Sequence, residues 1–152
     1  MSVEPIAPFL EPLRKEVVLP LPPERAFALF TAGVGLWWPL AAHSVGQARA
    51  ASCAIEPRVG GAWVETLDDG TRHVWGTVVV WDPPRRLVTT WHPGRAAETA
   101  QEIEVRFVAA GDGTRVELEH RNWQRLGVTA AATRRGYETG WDGVLARLAG
   151  AA

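Results

Sequence analysis

Three side chains have the chemistry to move a proton or anchor a ligand: His120, Glu65 and Tyr137. His120 shares the apolar face of "TRVELEHR" with Val116 and Leu118, while Arg115, Glu117 and Glu119 alternate on the other face. An imidazole so placed is either an acid–base group or ligand anchor, or a core histidine bonded to backbone or water. Glu65 falls on one strand face with Trp63 and Leu67. If that face points inward, the carboxylate needs a partner and becomes a functional candidate; the pattern alone leaves its direction open. Eight tryptophans are the compositional anomaly. Trp37, Trp38, Trp75, Trp91, Trp123 and Trp141, with His120 and Tyr137, are the candidate ligand-binding set, since aromatic walls suit flat apolar molecules. Plain core packing is the competing reading, and it is favoured for Trp63 and Trp81. Adjacent side chains rarely point the same way, so one of Trp37 and Trp38 is expected to pack under a helix and the other to face a pocket mouth.

Other chemistries lack a pattern. His43, His73 and His92 have no metal-ligand spacing, and Cys53 is the only cysteine, so neither a metal nor another cofactor is expected. His43 follows Trp38 closely enough to hydrogen-bond at a pocket rim. Ser44 and Ser52 lack a nucleophile elbow. "GDGT" and Gly60-Gly61 match neither a phosphate loop nor a dinucleotide fingerprint.

The elements that must position these groups read in order. "LRKEVVLP" predicts a first strand, "LPPERAFALFT" a short helix opened by prolines, and "GVGLWWPLAAHS" a second helical turn ended by Pro39. The period then changes to two. "ASCAIEP", "GAWVETL", "TRHVWGTVVVWD", "RLVTTWH", "AQEIEVRFVAA" and "TRVELEHR" read as strands, with Asp-Gly turns at 68–71 and 111–114. Ile103, Val105 and Phe107 oppose Glu102, Glu104 and Arg106, so the sheet is expected to be covered on one side and wet on the other. From about Thr129, the expected N-cap, to Leu148, the residues Tyr137, Trp141, Val144, Leu145 and Leu148 make one apolar stripe of a long helix. Gly136, Gly140 and Gly143 lie beside that stripe. Each costs a helix about 0.8–1 kcal/mol against alanine, so the sheet or a ligand is expected to approach there.

The fold class is therefore α+β: a curved antiparallel sheet wrapped around a long C-terminal helix, with two short helices after the first strand and a cavity between them. Residues 1–12 read as a flexible lead-in, 13–149 as one domain and 150–152 as a tail.

Net charge is −1, which supports neither a nucleic-acid nor an anionic-membrane footprint. No apolar run approaches the roughly 20 residues of a membrane span, and the start lacks a basic then apolar leader. A lone cysteine suits a reducing compartment, and arginine stands for nearly all the positive charge amid much Ala, Gly and Pro. The expectation is a bacterial cytoplasmic protein, monomeric or homodimeric.

"PPERAFALFT", "WWP…HS", "EPRVGGAWVE", "GTVVVWDPPRRLVTTW", "GTRVELEHRNW" and "GYETGWDGVLARL" together resemble the activator of heat-shock protein 90 ATPase-like family, part of the SRPBCC superfamily with START and polyketide cyclase domains. The resemblance spans about residues 13 to 149 and implies a helix-grip, START-like fold. It implies a deep pocket for a hydrophobic or aromatic small molecule: a lipid, a polyketide or another natural product. A binding protein acting by sequestration or transport is the leading expectation. The alternatives are an enzyme of the cyclase/aromatase or hydrolase type, using His120, Glu65 or Tyr137, and a chaperone-ATPase activator or stress-response partner. The eponymous chaperone activators carry a further chaperone-binding domain that the 152 residues do not show.

Overall fold

The computed structural model describes residues 9–152. Strand β1 (Leu13–Leu19) is followed by helices α1 (Pro23–Phe30) and α2 (Val34–Trp37). Six strands then run in sequence: β2 (Ala50–Ile55), β3 (Ala62–Leu67), β4 (Arg72–Asp82), β5 (Arg86–Trp91), β6 (Gln101–Ala110) and β7 (Gly113–Arg121). A short 3-10 segment, Trp123–Thr129, leads into helix α3 (Ala130–Ala151). The seven strands form one antiparallel sheet in the order β1-β7-β6-β5-β4-β3-β2. β2 to β7 form a hairpin meander, and β1 closes on the last strand, pairing Leu13 with His120 and Leu19 with Thr114.

The sheet curls because β4 carries extra residues. Trp63 pairs with Gly76 but Val64 with Val74, so Trp75 is a bulge; Val79 is a second, between Val78 and Val80. Bulges bend a strand, increase its twist and re-aim a side chain. Here the first bulge puts Trp75 and Gly76 both inside. A Cβ on Gly76 would lie 1.8 Å from the Thr90 carbonyl oxygen, so only glycine permits this close approach to β5. The Thr90 hydroxyl accepts the Thr77 N–H at 2.8 Å beside it.

α3 lies in the concave face, burying Trp141, Val144, Leu145 and Leu148 against Leu13, Phe30, Trp37, Leu118 and their neighbours. This is the helix-grip arrangement, α+β with two short helices after β1, as the residue order implied. No helix among the described residues is long and apolar enough to cross a membrane.

Several details differ from the sequence expectation. Thr129 stands at the N-cap position of α3, but its hydroxyl donates to the Leu126 carbonyl and caps nothing. The helix continues to Ala151 rather than ending near Leu148. On the outer face of β6, Glu104 is buried, because Arg86, Arg106 and Arg121 close over it. Residues 1–8 of the N-terminal lead-in lie outside the described residues. Beyond them, Leu10 packs on the core and the Glu11 carbonyl accepts from Arg134 at 2.8 Å.

Candidate functional site

Between α3, the bulged centre of the sheet and two loops lies a cavity of about 480 Å³. Its walls are indoles: Trp75 from β4, Trp91 from β5, Trp38 from the end of α2 and Trp141 from α3, with Tyr137 one turn earlier on that helix. Val144 and the Cα faces of Gly136 and Gly140 complete the helical side. One lip is the loop 42–45, carrying His43 and Ser44; the other is Pro93-Gly94 after β5.

The adjacent tryptophans divide the work. Trp37 is buried, donates its indole N–H to the Leu29 carbonyl at 2.9 Å and packs on Phe30. Trp38 lies beside Trp37, with ring centroids 5.8 Å apart, and meets the cavity indoles, 5.3 Å from Trp75 and 5.9 Å from both Trp91 and Trp141. Its N–H donates to the His43 carbonyl at 2.7 Å, so the same indole walls the cavity and ties down its lip.

Of the residues singled out from sequence, Trp38, Trp75, Trp91, Tyr137 and Trp141 meet at the cavity. Trp37, Trp123, His120 and Glu65 stand behind its wall. His120 is fully buried and stacks on Trp123 with centroids 3.9 Å apart. Its Nδ1 accepts the Trp141 indole N–H at 3.1 Å, which leaves the proton on Nε2, facing the Gln101 side-chain oxygen at 3.3 Å. Burial pushes this imidazole down to about 3, so it is neutral at physiological pH. It therefore holds Trp141 in place rather than trading protons with a ligand.

Glu65 points inward and is fully buried. Its carboxylate accepts the backbone N–H groups of Val45 and Gly46 and the Trp75 indole N–H, each at 2.8 Å. One carboxylate thus joins the lip to the wall. The neighbouring Cys53 thiol is pushed up to about 12, first by burial and then by Glu65, and is inert as a nucleophile.

Two groups remain to meet a ligand chemically. Tyr137 accepts the Trp91 indole N–H at 2.9 Å, so its own O–H is free to donate. Burial raises this phenol above its ordinary range, against the opposing Trp91 hydrogen bond and the Arg95 charge, and keeps it protonated. His43 is solvent-exposed at the lip, its ring lying over Gly140, where an added Cβ would be 3.5 Å from Cε1. That is an ordinary van der Waals distance, so the contact does not require glycine at 140; no atom approaches the Gly136 or Gly143 positions within 4 Å, and Gly136 borders the cavity. Among the described residues no three His, Cys, Asp or Glu side chains converge as a metal site. Thr133, Pro93 and Gly94, which no periodic pattern marks, complete the mouth.

The sequence matches the family described as Activator of Hsp90 ATPase homolog 1-like protein over residues 20–152. The chain belongs to this family. Through it the chain falls in the SRPBCC superfamily. Among solved structures, an anthrahydroquino-γ-pyrone synthase, Txn09, complexed with SUM, is 38% identical, with 93% of this chain and 97% of that one covered and a TM-score of 0.65. The Aha1 dimer from Colwellia psychrerythraea is 17% identical over 91% of this chain and 93% of its own, with a TM-score of 0.64. DynU16, from the dynemicin biosynthetic locus, is 17% identical over 91% of this chain and 45% of its own, with a TM-score of 0.65. The last two likenesses bear on fold alone. No curated protein matches the sequence.

Proposed function

We propose that the protein is a polyketide cyclase-type enzyme that closes an oxygen-containing ring on a flat aromatic substrate. The observation that carries this is the composition of the cavity: four indoles and a phenol around about 480 Å³, with a free O–H donor and an exposed imidazole at the mouth. That volume lies in the range of about 300–1,000 Å³ typical of small-molecule sites. The 38% identity to an anthrahydroquino-γ-pyrone synthase over nearly the whole chain supports a fused aromatic substrate, and moves turnover ahead of simple binding.

In the ring closure, a phenolic oxygen of the substrate attacks a side-chain carbonyl carbon. The O–C bond forms as the carbonyl π bond breaks. His43 takes the phenolic proton, and Tyr137 gives its proton to the oxygen that was the carbonyl. The resulting hemiketal loses water to give the pyrone. The tryptophans hold the rings so that the two ends meet. His120, through Trp141, and Glu65, through Trp75 and the lip, keep that wall in place. Buried Cys53, the only cysteine, suits a reducing cytoplasm, and the protein acts as a monomer or homodimer.

The test uses an anthrahydroquinone bearing an ortho 1,3-diketone chain, with the fused pyrone followed by chromatography and mass spectrometry. Wild type is expected to accelerate closure, and Tyr137→Phe to lower kcat by about 100-fold. Quenching of tryptophan fluorescence without turnover would leave a sequestering protein; neither turnover nor quenching by this compound would end the small-molecule reading.

A further inference from the structure

Beside the cavity mouth, Tyr137, Thr133 and Arg95 offer three side-chain hydrogen-bond donors. Tyr137 spends its oxygen on the Trp91 N–H and has its proton to give. Thr133, one helical turn earlier and also on the cavity wall, accepts from Arg95 Nη2 at 3.5 Å; its hydroxyl proton finds no acceptor among the described residues. Arg95 is exposed on the loop whose preceding residues, Pro93 and Gly94, form the lip. A tight turn holds it there: the Arg95 N–H donates to the His92 carbonyl at 2.9 Å, and the Arg95 carbonyl lies 3.1 Å from His92 Nδ1. No carboxylate pairs with Arg95 among the described residues, and Glu138, on the next turn of α3, is taken by Arg134 at 2.8 Å. No lining residue is acidic. On the Pro93-Gly94 side the apolar hollow therefore opens beside three donors, one of them positively charged, while the His43 imidazole stands on the other lip.

We infer that Arg95, Thr133 and Tyr137 form an oxyanion-binding edge, and that the ligand is a flat aromatic carrying an anionic oxygen, a carboxylate or an ionised phenol, which stays at the mouth while the rings enter the cavity. The inference rests on the small-molecule reading above and deepens it. It adds two residues to the site and a charge to the ligand. The same edge would stabilise the oxygen on which negative charge develops during ring closure. Charge-assisted bonds from a guanidinium are the stronger kind, and an arginine near a low-dielectric wall is only partly screened.

The probes are anthraquinone-2-carboxylate and its neutral isostere anthraquinone-2-carboxamide, with dissociation constants read from tryptophan quenching. Wild type is expected to bind the carboxylate about 10-fold more tightly, the size of one charge-assisted hydrogen bond. Arg95→Gln should abolish that preference with an unchanged melting temperature, Arg95→Lys should restore part of it, and Thr133→Val should reduce it a few-fold. 2-Hydroxyanthraquinone, titrated through its own ionisation, distinguishes phenolate from carboxylate selection. Equal binding of carboxylate and carboxamide by wild type, or a preference that survives Arg95→Gln, overturns the charge inference while the aromatic cavity stands. If neither probe quenches, the cavity reading falls with it.

Discussion

Two carboxylates are buried in this sheet, and they are satisfied in opposite ways. Glu104, on the convex face of β6, is capped by cations: Arg86 at 2.8 Å, with Arg106 and Arg121 at 2.6 Å. These guanidiniums come from β5, β6 and β7 and bind the strands to one another. Glu65, on the concave face of β3, meets no cation. Its three donors are neutral N–H groups, two from the lip loop and one from Trp75. A carboxylate left in a dry interior is costly unless it is hydrogen-bonded, and fixed N–H dipoles can supply those bonds as guanidiniums do. The difference teaches what each face is for. On the outer face long flexible arginines close over a charge wherever it falls. On the inner face the charge is met only if a particular loop sits in a particular place. Glu65 therefore converts a burial cost into a defined cavity mouth.

The sharpest way to break this contrast is to remove the acceptors. Glu65→Ala leaves one buried and two half-buried N–H groups unpaired and a void behind Trp75, and is expected to cost about 3–5 kcal/mol in chemical denaturation. Glu65→Gln, which keeps the shape but turns an NH₂ toward an N–H donor, should cost about 1–3 kcal/mol and speed amide exchange at Val45 and Gly46. Glu104→Gln should cost less than Glu65→Gln, because its arginines are partly exposed and can turn to water. An equal or greater loss at position 104 would mean that partner type does not separate the faces.

Acid sharpens the same contrast. His120, behind the concave wall, is held by burial near 3 against an ordinary 6.5, so the unfolded chain takes up a proton that the folded one refuses. Its stability contribution is complete above pH 6.5 and is lost as pH falls, by about 1.4 kcal/mol per unit, or about 2 kcal/mol by pH 5. For Glu104 burial pushes upward, but the bonds from Arg121 and Arg106 outweigh it and set the carboxyl near 2 against an ordinary 4.5. Its contribution is present above pH 4.5 and is lost as pH falls from there toward 2. Wild-type stability should thus begin to fall near pH 6.5 and fall more steeply below 4.5. His120→Gln should flatten the first leg and leave the second, while Glu104→Gln should do the reverse. A stability curve flat between pH 6.5 and 5 in wild type would remove His120 from this account.

How far this arrangement could be read from the chain depends on which contacts are local. The strand order follows from Asp-Gly turns and a two-residue period, and the buried stripe of α3 from Trp141, Val144, Leu145 and Leu148. Both are short-range signals. The direction of Glu65 is not legible, because Val64 on the other face of β3 is apolar and buried as well, and the donors that satisfy the carboxylate lie 10 to 20 residues away. Glu104 read as a wet residue because its covering arginines come from three strands. The indoles of the cavity were found by residue type, since few other residues can wall so large a hollow. Arg95, Thr133 and Pro93 carry no such signal. They sit in a loop and on the polar side of a helix, and what joins them is proximity across 38 residues between Arg95 and Thr133. Equally, nothing local separates Trp123, stacked under His120, from the tryptophans that border the cavity.

The smallest expected effect sets a cavity-bordering position against one away from the cavity, with one residue type. Gly136 and Gly143 are both interior to α3, and an added Cβ at either meets no atom within 4 Å. On propensity alone, alanine at each should stabilise the helix by about 0.8–1 kcal/mol. Both are exposed, but Gly136 borders the cavity whereas Gly143 lies off it. Gly143→Ala should therefore raise the melting temperature and leave the dissociation constant of anthraquinone-2-carboxylate unchanged. Gly136→Ala should raise it equally but weaken that constant several-fold, because the methyl group takes space beside Tyr137 that a flat ring needs. Were both variants to bind the probe like wild type, the missing side chain at Gly136 would have no part in shaping the cavity, and the helix would carry that glycine at a cost unconnected with any ligand.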